Sequence, residues 1–161
     1  MGATVGGARR GRWETGRSLS ATALIGVGLM AAIDEIVFHQ LLRWHSFYDR
    51  STPAAGVVSD GLLHAAEVVL LVAGFMLFAE LRRTRTLAPR HALAGLLLGL
   101  GGFQLFDGVV NHKLLNLHEI RYRVDLLPYD LTWIGGALVV LAAGAAVLVR
   151  ARHAEGSGGR R

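Results

Sequence analysis

The chain has 161 residues, 52% of them hydrophobic and only 18% charged, with a formal net charge of +5. Its mean hydropathy of +0.41 and pI near 10.7 set a basic balance inside a greasy chain, where ordinary soluble domains are about 25% charged. The basic residues flank long apolar runs instead of forming a face, which argues against nucleic acid as a partner. With no Cys, disulfides, thiolate catalysis and Cys-based zinc or iron–sulfur centres are excluded. The composition is that of a small all-α integral membrane protein.

A spanning helix needs roughly 20 mostly apolar residues, and four stretches qualify: Leu19–Leu42, Asp60–Leu81, Ala92–Leu115 and Tyr129–Val149. The first is too long, and too poor in a small-residue cleavage site, for a signal peptide. The Gly/Arg-rich segments 1–17 and 151–161 read as disordered tails around a transmembrane domain over 18–150. Arg9, Arg10, Arg12 and Arg17 precede the first span, Arg82, Arg83, Arg85 and Arg90 fill the loop between the second and third, and Arg150, Arg152, Arg160 and Arg161 follow the fourth. Only Arg43, Arg50, Lys113, Arg121 and Arg123 fall on the other side. The positive-inside rule then predicts a multi-pass protein of the plasma membrane with both termini cytoplasmic. Arg121 and Arg123 beside Asp125, and Arg43 and Arg50 beside Asp49, read as loop salt bridges.

The polar residues within the spans are concentrated at one end. His39, His45, His64, His112 and His118 lie in the outer halves of spans or in the outer loops, as do Asp34, Glu35, Asp60, Glu67, Gln104, Asp107, Asn111 and Asp130. Ionisable groups at membrane depth are expensive and normally face the bundle interior or a watery cavity. They therefore mark a functional site.

The two halves, about 18–81 and 91–149, also resemble one another. DEIVFHQLLRWH (Asp34–His45) and DGVVNHKLLNLH (Asp107–His118) share D-x-[IV]-V-x-H-x-L-L-x-x-H, and Gly26 and Gly28 match Gly99 and Gly101. Asp60 aligns with Asp130, whereas His64 and Glu67 align with Ile134 and Ala137. Both halves run in the same direction, so they predict parallel repeats about an axis along the membrane normal. The expected architecture is a pseudo-two-fold bundle of two hairpins, with a single site elaborated on one side.

The chain resembles an uncharacterised bacterial membrane-protein family, domain of unknown function 2243. The resemblance rests on Asp34–His45, on DGLLHA (Asp60–Ala65), on D-G-x-x-x-H-x-L-L-x-x-H (Asp107–His118) and on YDL (Tyr129–Leu131), and covers roughly 26–146. It departs at Glu35, where the family pattern implies Gly, and at Glu119, where it implies a further His. The resemblance implies a multi-span membrane fold and assigns no activity.

Candidate metal ligands are His39, His112, His64, His45 and His118, with Asp34, Asp60, Asp107 and Asp130 as ligands or as acceptors that orient them. Imidazole suits Zn, Cu(II) and Fe. His39 and His112 could instead hold a b-type haem, a weaker fit for residues so near the surface. Asp60, His64 and Glu67 share one helix face. Asp34 and His39, five apart, point about 140° from each other on a regular helix and meet only if the helix end loosens. Three functions stay open at this point: a metal-binding protein handling copper or zinc for respiratory or envelope metalloenzymes, a membrane-embedded hydrolase or oxidoreductase with Glu67 as base, and a metal-free Asp–His proton relay or scaffold. The partners implied are the lipid bilayer and a metal ion or metalloprotein; a homodimer is compatible with all three.

Overall fold

The computed structural model describes residues 3–158, with side chains for 11–156. Four helices form: α1 (Ala3–Asp34), α2 (Pro53–Arg83), α3 (Pro89–Phe106) and α4 (Leu127–Gly158). No strand occurs among the described residues. All four helices are long and apolar enough to cross a membrane. At 1.5 Å per residue the 31 residues of α2 span about 46 Å, well past the ~30 Å hydrocarbon core.

Helix continues into both segments expected as tails, upstream of the first span from Ala3 and beyond the fourth to Gly158. Once a span has nucleated a helix, each further residue adds a hydrogen bond at little cost, and charge does not stop it. The parts of the two expected tails at residues 1–2 and 159–161 lie outside the described residues.

The central pair is α1 and α3, with α2 packed on α1 and α4 on α3; α2 and α4 do not approach each other. Glycine sets the closeness of the pair. A Cβ at Gly26 would run into Leu96 O, and one at Gly99 into Ala23 O, so no other residue fits the crossing. Small residues at helix contacts are how membrane bundles gain van der Waals packing without a hydrophobic drive. Accordingly Ala21, Ala31, Ala94 and Ala137 are buried, while Val57, Leu62, Val69, Met76, Leu131 and Val139 face outwards. The largest fully buried side chains are Leu81, His118, Glu35, Glu67, Asp107 and Ser18, so the interior is mostly polar.

Two departures from regular α-helix lie at the same end. α1 continues as a π-helical segment over Glu35–Leu41, and α3 continues likewise over Asp107–Leu114. Each ends the same way: Leu42 N donates to Val37 O and Leu115 N to Val110 O, and Arg43 and Asn116 then turn with φ of 53° and 50°. The loops that follow, 44–52 and 117–126, are tied across the molecule by Asp49 N donating to Leu117 O (3.1 Å) and Arg50 Nε donating to Asn116 O (2.6 Å). They fold back over the ends of α1 and α3.

Candidate metal centre

The π segments supply the loosening that the five-residue spacing requires. A π-helix bonds i to i+5, which brings residues five apart onto one side. His39 Nε2 thereby comes within 3.7 Å of Asp34 Oδ2, and His112 Nε2 within 3.1 Å of Asp107 Oδ2, without hydrogen-bond alignment. Gln40 Nε2 donates to Glu35 Oε1 at 2.7 Å over the same interval. π-Bulges recur at functional sites because they re-aim side chains in this way.

His45 and His118 come from the loops, as their spacing from His39 and His112 predicts. The His45 Nδ1–H donates to Ile120 O at 2.9 Å, and the His118 Nδ1–H donates to Phe47 O at 2.8 Å. A carbonyl can only accept, so both rings carry their proton on Nδ1 and leave Nε2 with a free lone pair. The four rings form a continuous row. Centroids are 4.5 Å apart for His39–His45, 4.4 Å for the stacked His45–His118 pair and 4.6 Å for His118–His112. All four are buried, and the Nε2 of each lacks a hydrogen-bond partner.

The carboxylates stand around this row. His39 Nδ1 donates to Asp60 Oδ1 at 3.1 Å, and Glu35 Oε2 lies 2.8 Å from the same nitrogen. Asp60 Oδ1 also accepts from Phe47 N at 2.6 Å, which pins the first loop to α2. Asn111 Nδ2 donates to Asp107 Oδ1 at 2.9 Å, leaving Oδ2 turned to His112. Three sets of side chains have ligand atoms within 4.8 Å of one another: His39, His45 and His118; Asp107, His112 and His118; Glu35, His39 and Asp60. Each set could hold a metal ion.

His39 and His112 never fall in the same set; His45 and His118 stand between them. His64 stands apart, its side chain 56% exposed and its Nδ1 2.5 Å from Glu67 Oε1, so the face shared by Asp60, His64 and Glu67 divides into two pairings. Asp130 is taken by Lys113 Nζ. Asp34 is buried beside His39 but enters none of the three sets. Glu35 is the ligand-set member that the sequence reading left outside its candidates.

The electrostatics favour neutral rings at the two loop histidines. Burial, then the neighbouring His118 and His39, push His45 down from the ordinary histidine value to about 2. Burial likewise lowers His118 to about 4, although Asp107 works against it. At neutral pH both loop histidines are therefore unprotonated, the form that ligates metal.

One side of the site is open. A cavity of about 730 Å³ reaches Glu35, His39, His45, Asp60 and His64. The other side is shut by Trp133, whose indole lies on Gly108; a Cβ there would come within 2.8 Å of the ring. Glu35, whose counterpart in the second motif is Gly108, is thus on the open side.

Four apolar helices and a buried histidine–carboxylate cluster at one end define a multi-span helical membrane protein. The chain matches the family described as "Predicted membrane protein (DUF2243)" over residues 21–151, and it belongs to that family. No curated protein and no solved structure matches it.

Proposed function

We propose that the π-helical end of the bundle binds a transition-metal ion through Nε2 of His39, His45 and His118, with Asp107 and His112 beside them as a second ligand set that shares His118. The observation that carries this reading is the row of four buried Nε2 atoms without a hydrogen-bond partner. Leaving a buried polar atom unpaired costs on the order of 1–3 kcal/mol, and the Nε2 lone pairs of the stacked His45 and His118 repel. A cation offsets both costs at once. The Nδ1–H bonds to Ile120 O and Phe47 O resemble the outer contacts that fix tautomer and raise ligand basicity in metal sites.

Imidazoles with a carboxylate suit Zn, Cu(II) or Fe. Absence of Cys argues against a Cu(I) carrier, whose soft ion selects thiolate or thioether ligands. The row of rings fills the space between His39 and His112, which favours a bare ion over a b-type haem. The corresponding contacts of His45 with Ile120 and His118 with Phe47 support a duplicated hairpin with an axis between the two rings. The distribution of arginine supports cytoplasmic termini and a metal centre at the extracytoplasmic face of the plasma membrane. There the protein takes up copper or zinc and passes it to a respiratory or envelope metalloenzyme. The open cavity also favours a second reading, a metal-dependent hydrolase or oxidoreductase whose substrate reaches the ion past Glu35.

The test is metal content of detergent-purified protein after exposure to Zn, Cu(II) or Fe(II) and gel filtration. Wild type retains a stoichiometric ion, and His45→Ala/His118→Ala does not. Wild type at background for all three metals refutes the reading; an intense Soret band on the purified protein assigns haem instead.

A further inference from the structure

Five basic side chains other than histidine occupy the π-helical end: Arg43, Arg50, Lys113, Arg121 and Arg123. Two are engaged within the protein, Arg50 with Asn116 and Lys113 with Asp130. The other three converge on one surface cavity of about 530 Å³, lined by Arg43, Trp44, Arg121, Tyr122 and Arg123. No acid lines it. The salt bridges expected in these loops do not form: Asp125 Oδ1 accepts from Leu127 N, and Asp49 Oδ2 from Ser46 N, both at 3.1 Å. The acids are spent on backbone amides, and Arg43 and Arg123 have neither a hydrogen bond nor an ion pair among the described residues.

Two details make this more than a basic surface. Arg43 and Arg123 both adopt left-handed backbone, with φ of 53° and 60°. At Arg43 that turn ends the first π segment, as Asn116 ends the second. Arg121 is fixed as well. Its guanidinium lies 4.8 Å from the Trp44 ring centroid and 5.5 Å from that of Tyr129, and Nη1 donates to the Tyr129 hydroxyl at 2.7 Å. A stacked, single-bonded arginine keeps most of its five donors for a ligand.

Trp44 and Tyr129 are also walls of a second cavity, about 410 Å³, completed by Phe38, Ile120, Pro128, Thr132 and Trp133. Its lining is aromatic and aliphatic. The arginine cavity and the apolar one share Trp44, so a charged pocket and a greasy slot lie side by side at this end of the bundle. Arginine recognises phosphate oxygens bidentately, and the slot carries no charged side chain, its polar side-chain groups being the Tyr129 and Thr132 hydroxyls and two indole N–H groups.

We infer that these two cavities form one binding site for a phosphate-bearing amphiphile, an anionic glycerophospholipid whose headgroup sits on Arg43, Arg121 and Arg123 and whose chain enters the Phe38–Trp133 slot. This inference does not rest on the metal reading. The site borders the histidines, because Ile120 lines the slot and its carbonyl holds His45.

The experiment is native mass spectrometry and thermal unfolding of detergent-purified protein titrated separately with phosphatidylglycerol, phosphatidylcholine and inorganic phosphate. Phosphatidylglycerol gives one saturable adduct and raises the melting temperature; phosphatidylcholine and inorganic phosphate do neither. Arg43→Gln and Arg123→Gln, exposed side chains without partners, leave the lipid-free protein unchanged and each weaken phosphatidylglycerol binding about ten-fold, the scale of one charge-assisted contact. Thr132→Phe fills the slot and weakens it with the arginines intact. Equal binding of both lipids, or unchanged binding in the two arginine variants, overturns the inference. An inorganic phosphate response matching that of phosphatidylglycerol, with Thr132→Phe silent, assigns the arginines to a free anion and overturns the amphiphile.

Discussion

Replacing His118 with alanine removes the nitrogen common to two of the three ligand sets, and its effects separate into two parts. The structural part follows from the ring's surroundings. His118 is fully buried, stacks on His45 at 4.4 Å and satisfies Phe47 O. Losing the stacked pair costs about 0.5–1.5 kcal/mol, and leaving the carbonyl unpaired about 1–3 kcal/mol. Together these make roughly 2–4 kcal/mol, or about 5–15 °C of melting temperature for a chain of this size. The metal part is measured against each protein's own apo form, so the structural cost subtracts out. An ion at 100 times its dissociation constant adds about 2.7 kcal/mol, hence a rise of roughly 5–10 °C in wild type. The assay is thermal unfolding in detergent with and without metal, and His118→Ala loses the metal-induced rise. A rise equal to wild type in His118→Ala refutes the proposed donor set.

His64→Ala, by contrast, keeps metal content near the wild-type level, because His64 pairs with Glu67 at the cavity wall; loss of the ion in this variant would place His64 back among the ligands. The apo protein loses stability on acidification. His45 and His118 are lowered to about 2 and about 4, so below about 6.5 the unfolded chain binds protons that the folded chain refuses. Stability is complete above that pH and falls as pH drops towards 4, by up to about 1.4 kcal/mol per histidine per pH unit. Melting temperatures of metal-free protein from pH 7.5 to 4.5 check this, and His45→Ala/His118→Ala flattens the profile. Gly99→Ala drives a Cβ into Ala23 O and costs at least the 1–3 kcal/mol typical of overpacking, whereas Gly102→Ala meets nothing within 4 Å and is neutral or stabilising by up to about 1 kcal/mol. Paired melting curves distinguish the two.

Hydropathy was enough to find all four helices, because a membrane span is a continuous apolar run and needs no tertiary information. It missed their ends: α2 starts at Pro53, seven residues before Asp60, since an N-cap such as Thr52 obeys hydrogen bonding and not hydrophobicity. The site was legible as chemistry at one end of the chain's spans. The mismatch of Asp34 and His39 on a regular helix was itself a signal, and the π segments resolve it. Two features were not legible. His45 and His118 could be placed over the bundle but not joined to Ile120 and Phe47, because a carbonyl acceptor carries no side-chain signature. Glu35 was read as a departure from a family pattern, and its place beside His39 and Asp60 depends on which way the π turn rotates it. Arg43, Arg121 and Arg123 looked paired with nearby acids in sequence, yet Asp49 and Asp125 cap backbone amides instead.

X-ray absorption at the metal edge of the purified, metal-loaded protein tests the central claim most directly. The account predicts a nitrogen-rich first shell at about 2.0–2.1 Å with the outer-shell scattering of several imidazoles, reduced in His45→Ala and in His118→Ala. An oxygen-only shell, or an imidazole pattern untouched by both substitutions, would contradict it.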